Sequence, residues 1–300
     1  MTPPTIGRLR VDGATLHYEV RGEGPLLLLI PGGTGGAASF DDVADDLAAD
    51  RTVVSYDPRG LSRSPLDDPE APQHVARHAD DALRLLDLLS PEAPARVAGC
   101  SSGAIVALHL LANRPERIER VVAHEPPVVE VLPDAAEHRA MLARVQDTFR
   151  REGLMPAAAV FAAGLRPSGA APTVTPATPA TPAAPPAPPA PPAPPAPPTA
   201  GLTPRAAARV ERTMADMPYF LGRIVPGFMA YTPDVERLAA LSDRLVLAGG
   251  ADSHGELPHR CAAFLAERLG AEFVRFPGGH TGLSTHPAEF GELLRKLLGG

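Results

Sequence analysis

The sequence has few cysteines and no apolar run long enough to cross a membrane. Cys100 and Cys261 are its two cysteines among 300 residues, too few for the disulfide framework of a small secreted domain. The first twenty residues lack the apolar stretch of a secretory signal. The run LLLLI at 26–30 is far shorter than the roughly 20 residues of a membrane span. We therefore expect a cytoplasmic protein without a membrane partner.

Basic residues are fewer than acidic ones, 28 against 35, and they are not gathered in one place. The formal net charge is −7 at pH 7, and no block of lysine or arginine stands out. A protein that binds DNA or RNA usually carries a basic patch or stripe for the phosphates. Nucleic acid is therefore excluded as an expected partner.

One segment, at about 167–204, is rich in proline and alanine and contains a PPA repeat. Proline fixes φ and removes the backbone N–H, so neither helix nor sheet is expected there. The period of three suits polyproline II or a disordered spacer. A ligand for a partner domain is the alternative. The remaining roughly 260 residues suit one α/β domain with an insertion.

Apolar runs alternate with helical patterns along the rest of the chain. Residues 8–20 predict a β-hairpin around an Asp-Gly turn. The runs LLLLI and TVVSYD (52–57) are typical of strands buried on both faces of a parallel sheet. Further strands and helices follow in alternation: strands at 95–100, 117–125, 244–250 and 271–279, helices at 40–51, 74–90, 104–114, 257–269 and 287–298. This pattern predicts an α/β fold with a mostly parallel sheet flanked by helices.

A helical pattern interrupts the alternation at 127–240. We expect residues 1–126 and 241–300 to form the core and 127–240 to form a helical lid, which the Pro/Ala-rich tract interrupts. Functional side chains of such folds lie at the carboxyl ends of the strands. The residues that follow each strand are therefore the candidates for chemistry.

The strand at 95–100 runs into Gly99-Cys100-Ser101-Ser102-Gly103, a G-x-S-x-G pattern between a strand and a helix. Such a turn is sharp, needs small neighbours and lifts the central hydroxyl clear of the sheet. Ser101 alone has glycine two residues away on both sides, so it is the predicted nucleophile. Ser102 would offer its backbone N–H to an oxyanion. The alternative is a turn of small residues without a reaction.

A serine nucleophile needs a base, and the base needs an acid. His280 directly follows the last strand and is the predicted base; His286, just before the last helix, fits a cap or packing role better. Two carboxylates compete for the acid. Glu125 closes the strand at 117–125 and Asp252 follows the strand at 244–250, and the spacing does not choose between them.

The loop Pro31-Gly32-Gly33-Thr34-Gly35-Gly36 follows the LLLLI strand. Gly33 is the expected second oxyanion donor, because glycine lets the backbone approach a bound carbonyl closely. A flexible glycine loop or a phosphate cradle is the alternative. A phosphate P-loop is disfavoured, since no Gly-Lys-Ser/Thr follows.

Four segments in this order resemble the α/β-hydrolase superfamily: IPGG at 30–33, SYDPRGLSRS at 55–64, GCSSGA at 99–104 and PGGH at 277–280. One departure is Pro31, where the family often has histidine. The segments GCSSGA, YDPRGLSRS, ANRPERIERVVAHEPP (112–127) and GGHTGLSTHPAEF show a closer resemblance, to the zearalenone-lactonase-like hydrolases. It implies opening of a macrocyclic lactone by a serine, a histidine and a glutamate after the earlier strand. That glutamate falls on Glu125, which the resemblance favours, although the sequence also keeps Asp252.

Two further features follow from the resemblance and the lid. Asp57, Arg59 and Gly60 resemble the superfamily's D-x-R-G turn, where the charges are mainly structural. Seven apolar lid residues are expected to line a substrate pocket: Met141, Met155, Phe161, Met217, Tyr219, Phe220 and Phe228.

These expectations describe a serine hydrolase that cleaves a small-molecule ester or lactone through an acyl-enzyme, with no cofactor and no metal. The same three side chains would also serve a cofactor-free haloperoxidase or a C–C bond hydrolase. From another class, the chain could be a non-catalytic ligand receptor on a hydrolase fold, its proline-rich tract recruiting a partner. Intact Ser101 and His280 argue against that reading.

Overall fold

A computed structural model describes residues 3–167 and 203–299. The Pro/Ala-rich tract expected at about 167–204 falls on the interval between these ranges and lies outside the described residues. Within them the chain forms an eight-stranded sheet in the order β1-β2-β4-β3-β5-β6-β7-β8. The strands are β1 (Thr5–Val11), β2 (Ala14–Arg21), β3 (Leu26–Ile30), β4 (Thr52–Tyr56), β5 (Ala95–Cys100), β6 (Ile118–His124), β7 (Leu245–Gly250) and β8 (Glu272–Phe276).

The direction of the strands follows the patterns in the sequence. β1 and β2 form the predicted hairpin, with Val11 opposite Ala14 across the Asp-Gly turn. β2 pairs antiparallel with β4, and the other pairs in the sheet are parallel. Every residue of β3 and β7 is buried, because helices cover both faces. The expected mostly parallel sheet is confirmed.

The described helices lie on the two faces of the sheet and in the segment between β6 and β7. They are α1 (Asp41–Leu47), α2 (Val75–Leu89), α3 (Ser102–Asn113), α4 (Ala135–Glu152), α5 (Leu154–Leu165), α6 (Pro204–Tyr219), α7 (Val225–Met229), α8 (Val235–Ala239), α9 (Leu257–Leu269), α10 (Gly282–Thr285) and α11 (Pro287–Leu297). None of these helices combines the length and the apolar character that a membrane span requires.

Two buried apolar clusters cover opposite faces of the sheet. Leu28 of β3 belongs to one cluster and its neighbours Leu27 and Leu29 to the other, as the alternation of side chains along a strand requires. Helices α2, α3 and α9 pack into the first cluster, and α1 and α11 into the second. The sheet is thus a rigid platform that holds the strand ends in place.

The segment between β6 and β7 is helical where it is described, as the sequence predicts. It contains α4 to α8. Between α6 and α7 the helix widens to a π-turn at Phe220–Ile224. That turn begins just after Pro218, whose missing N–H removes one α-helical hydrogen bond. Phe220 and Ile224 of the widened turn line the cavity described below.

Candidate active site

Ser101 occupies a sharp turn between β5 and α3. Its φ of 53° and ψ of −121° lie outside the regions that L-residues favour, at a cost of about 1–3 kcal/mol. A Cβ on Gly99 would lie 2.4 Å from the Gly103 carbonyl oxygen, and one on Gly103 would lie 2.3 Å from the Ile30 carbonyl oxygen. The two glycines are therefore required by close packing of strand against helix. This packing holds Ser101 at the carboxyl end of the sheet.

His280 joins the serine to a carboxylate. It lies in the turn after β8, with its Nε2 3.2 Å from Ser101 Oγ and its Nδ1 2.5 Å from Glu125 Oε2. The carboxylate accepts the Nδ1–H, which leaves the lone pair of Nε2 to accept the serine proton. The arrangement can move a proton from the hydroxyl to the imidazole.

Glu125 follows β6 with a positive φ of 50°, which turns its side chain into the protein, where it is fully buried. Besides His280, its carboxylate accepts hydrogen bonds from the Gly250 N–H, at 2.8 Å, and from the Ser253 hydroxyl. Burial alone would raise the pKa of Glu125. The hydrogen bond from His280, the neighbouring imidazoles and the Ser253 hydroxyl outweigh burial and lower that pKa below its usual value. The carboxylate is thus ionised beside His280.

Unlike the side chain of Glu125, that of Asp252 is directed to solvent. Its backbone N–H donates to the Gly278 carbonyl at 2.9 Å, and its side chain is exposed to solvent. The next residue, Ser253, is the one that turns inward and is 1% exposed. The described contacts therefore bring Glu125, and not Asp252, to the imidazole.

Ser253 is a residue that the sequence analysis missed. Its hydroxyl donates to Glu125 Oε1 and lies 3.2 Å from the Gly250 carbonyl oxygen. The feature of the sequence that could have identified it is its position just after β7, next to the candidate acid Asp252. The three donors to Glu125 come from two segments, the end of β7 with the turn that follows it and the turn after β8, so both oxygens of the carboxylate are held.

Ser253→Ala is expected to lower kcat about tenfold and the free energy of unfolding by about 1–3 kcal/mol, because a buried carboxylate loses a donor. The pKa of Glu125 should rise, so its contribution to stability should be lost at a higher pH on acidification. Steady-state kinetics and urea unfolding across pH measure these effects. Asp252→Ala, which changes the exposed neighbour, is the control. An unchanged kcat and pH profile for Ser253→Ala would contradict this role.

Gly33 and Ser102, from which two oxyanion donors are expected, are in direct contact. Ser102 is the first residue of α3, where backbone N–H groups have no partner within the helix. The Gly33 N–H donates to Ser102 Oγ at 3.0 Å. The sequence predicted the two backbone groups but not this contact through the hydroxyl.

Other side chains near the site offer no competing chemistry. Burial raises the pKa of the Cys100 thiol to about 12, so the thiol stays protonated beside Ser101. His286 is exposed at the N-cap position of α11, where its side chain makes no hydrogen bond to the helix and its Nδ1 lies 2.9 Å from Thr285 Oγ1. Within residues 3–167 and 203–299, no group of three His, Cys, Asp or Glu side chains is placed to hold a metal ion.

A cavity of about 490 Å³ opens above Ser101 and His280. Ser39, Thr213 and Ser284 are among its few polar lining residues, and no Asp, Glu, Lys or Arg of the described chain lines it. Its walls are mainly apolar side chains: Phe40, Phe161, Leu165, Met217, Phe220, Ile224, Val225, Phe228, Met229 and Leu283. The cavity suits an uncharged apolar molecule.

Four of the seven lining residues expected from the sequence face this cavity: Phe161, Met217, Phe220 and Phe228. The expectation is wrong for the other three. Met141 is buried in the apolar core, Met155 is 68% exposed on α5, and Tyr219 packs against Gly60. Which side of a helix in this segment faces the cavity depends on tertiary packing. The pattern of apolar residues alone does not determine it.

The charged residues after β4 form ion pairs within the core, in agreement with the expected structural role. Asp57 is fully buried and accepts hydrogen bonds from the Ala37 N–H at 2.8 Å and from Arg63 Nε at 2.7 Å. Arg59 makes two hydrogen bonds to Asp81 of α2, at 2.6 and 2.5 Å. Asp57 thereby ties the end of the glycine loop, at Ala37, to β4.

Sequence comparisons find similar hydrolases. Residues 25–166 match the family model of the alpha/beta hydrolase fold. The uncharacterized hydrolase YraK of Bacillus subtilis is 33% identical over 296 residues, which cover 97% of this chain and 95% of that protein. The zearalenone hydrolase of Bionectria ochroleuca is 37% identical over 119 residues, which cover 39% of this chain and 45% of that enzyme.

A solved structure supports the same grouping. A hydrolase of Pseudomonas aeruginosa PA01 superimposes with a TM-score of 0.69 at 25% identity, covering 98% of both chains. The sheet order, the strained serine turn and the full-length similarity to YraK agree. The chain belongs to the α/β-hydrolase family.

Proposed function

We propose that this hydrolase cleaves a carboxylic ester or lactone through a serine acyl-enzyme. The observation that carries the proposal is the continuous chain from Ser101 Oγ through the His280 ring to the buried Glu125 carboxylate. Three such groups in hydrogen-bond contact form the nucleophile, base and acid of acyl transfer.

In the proposed mechanism, His280 Nε2 takes the proton of Ser101 as its Oγ attacks the carbonyl carbon. The negative oxygen receives the backbone N–H groups of Gly33 and Ser102, and the amino end of α3 stabilises the same charge. His280 then donates its proton to the leaving alcohol. Water then attacks the acyl-enzyme, with His280 again as the base. Glu125 stabilises the imidazolium in both steps.

The cavity supports an uncharged, apolar substrate. Its apolar walls come largely from the segment between β6 and β7, for which we retain the role of a lid. The partial similarity to a zearalenone hydrolase favours including lactones among the substrates. A cofactor-free haloperoxidase or a C–C bond hydrolase would use the same triad and is distinguished by its products.

The direct test is a panel of p-nitrophenyl esters of increasing chain length, together with small and macrocyclic lactones. We expect hydrolysis of at least one class and a covalent fluorophosphonate adduct on Ser101. Peptide mass spectrometry locates the adduct. Absence of both hydrolysis and adduct would favour a ligand receptor over an enzyme.

Charge on the substrate should decide its reactivity. We expect p-nitrophenyl butyrate to exceed p-nitrophenyl hemisuccinate in kcat/KM by about 100-fold, because no Lys or Arg among the described lining residues can pair with the carboxylate. Met217→Arg, which places a cation on the cavity wall, should reduce the ratio. Equal kcat/KM values for the two esters in the unmodified protein would contradict the assignment of an apolar site.

A further inference from the structure

The Gly33 amide is carried by a loop in which four of six residues are glycine. Within it the Gly35 N–H donates to the Gly32 carbonyl at 2.9 Å, and Gly33 has a φ of +61°. Glycine at position 33 does not by itself restrict the peptide to this conformation. A Cβ on Gly33 would meet nothing within 4 Å, so packing at that position does not orient the peptide.

The side chain that meets the Gly33 N–H belongs to a rigid element. Ser102 is 9% exposed, and it begins α3, in which ten of the twelve residues are buried. Its Oγ lies 3.0 Å from the Gly33 nitrogen. This hydrogen bond therefore connects the loop to the packed helix that also carries the turn of Ser101.

We infer that the Ser102 hydroxyl is a positioning residue for the oxyanion hole. It holds the Gly33 N–H toward the serine turn before substrate arrives. This inference rests on the proposed function. Ser102 then has two roles: its backbone N–H donates to the negative oxygen, and its hydroxyl orients the second donor. When a carbonyl oxygen enters, it accepts the Gly33 N–H in place of, or together with, Ser102 Oγ.

Preorganisation of the Gly33 N–H explains why the hydroxyl matters. A donor stabilises a transition state best when its direction is set before the reaction, so that no reorientation is required as charge develops. Without an acceptor at residue 102, the Gly33 peptide would lose the one hydrogen bond that the structure gives its N–H. The loss should affect the transition state more than the bound ester, whose carbonyl carries less charge.

The test compares Ser102→Ala and Ser102→Thr with the unmodified protein. Kinetics on p-nitrophenyl butyrate give kcat and KM. Inhibition by an alkyl trifluoromethyl ketone, which forms a charged hemiketal on a reactive serine, is compared with inhibition by the matching methyl ketone. The ratio of the two inhibition constants reports oxyanion stabilisation separately from apolar binding.

For Ser102→Ala we expect kcat to fall about tenfold with KM within about twofold, less than the hundredfold or more for loss of a donor itself. The preference for the trifluoromethyl ketone should fall by a similar factor. Ser102→Thr keeps the hydroxyl and should recover both quantities to within about threefold.

Two results would overturn the inference. A higher kcat for Ser102→Ala would mean that the hydroxyl competes with substrate for the Gly33 N–H. An unchanged inhibitor preference, with only a lower unfolding temperature, would mean that Ser102 serves packing alone. Failure of the unmodified protein to hydrolyse any ester and to take a fluorophosphonate adduct is a separate outcome, because it overturns the proposed function first.

Discussion

Ser101→Ala is expected to lower kcat for ester hydrolysis by about 10⁵-fold, because no other hydroxyl is in contact with His280 Nε2 among the described residues. The strained backbone at Ser101 aims one side chain at the base. Neighbouring Ser102 directs its Oγ to Gly33 instead. Steady-state kinetics and the mass of the protein after fluorophosphonate treatment measure the loss.

Ser102→Ala is the matched control for this substitution. It removes the adjacent hydroxyl but keeps the nucleophile, so it should still take the fluorophosphonate adduct, at a lower rate. Ser101→Ala should take none. An adduct of equal yield on Ser101→Ala would place the nucleophile elsewhere and contradict the proposed mechanism.

Glu125→Gln is expected to lower kcat by about 10³–10⁴-fold, and Asp252→Asn by less than about twofold. Glutamine fills the same space but carries no charge to stabilise the imidazolium or to hold the tautomer in which Nε2 accepts. Asp252 is exposed, and the described contacts do not bring it to His280. The same ester assay at constant pH compares the two variants directly.

The pH dependence of stability gives an independent measure of Glu125. Its pKa in the folded protein is lowered, so the unfolded chain binds more protons at acidic pH. The stabilisation is therefore complete above the unfolded pKa, near 4.3 for glutamate, and is lost as pH falls through the folded pKa. Glu125→Gln should remove this acid-side loss, and Asp252→Asn should retain it. A large kcat loss in Asp252→Asn with little in Glu125→Gln would reverse the assignment.

Much of the fold could be predicted from local patterns. Buried parallel strands require continuous apolar runs, and the flanking helices require apolar residues at helical spacing. The nucleophile candidate followed from the same kind of local rule. Close packing of β5 against α3 requires glycine two residues before and after one particular serine, because a Cβ at Gly99 or Gly103 would lie within 2.4 Å of a carbonyl oxygen.

The acid could not be predicted in this way. Glu125 and Asp252 both follow strands that end at the same edge of the sheet, so their positions in the sequence are equivalent. The two carboxylates differ in the direction that the backbone takes after each strand. A positive φ turns Glu125 inward, whereas Asp252 points to solvent and Ser253 turns inward in its place. These directions depend on contacts with other segments.

The sequence by itself determined the order of strands and helices, the serine turn and the histidine after the last strand, because each depends on a few neighbouring residues. Only the tertiary structure decided that Glu125 meets His280, that Ser253 supports Glu125, and which helical side chains face the cavity. Glu125 and His280 are 155 residues apart in the chain. Their contact depends on how β6 and β8 are placed in the sheet and how the chain turns after each strand, which no local pattern records.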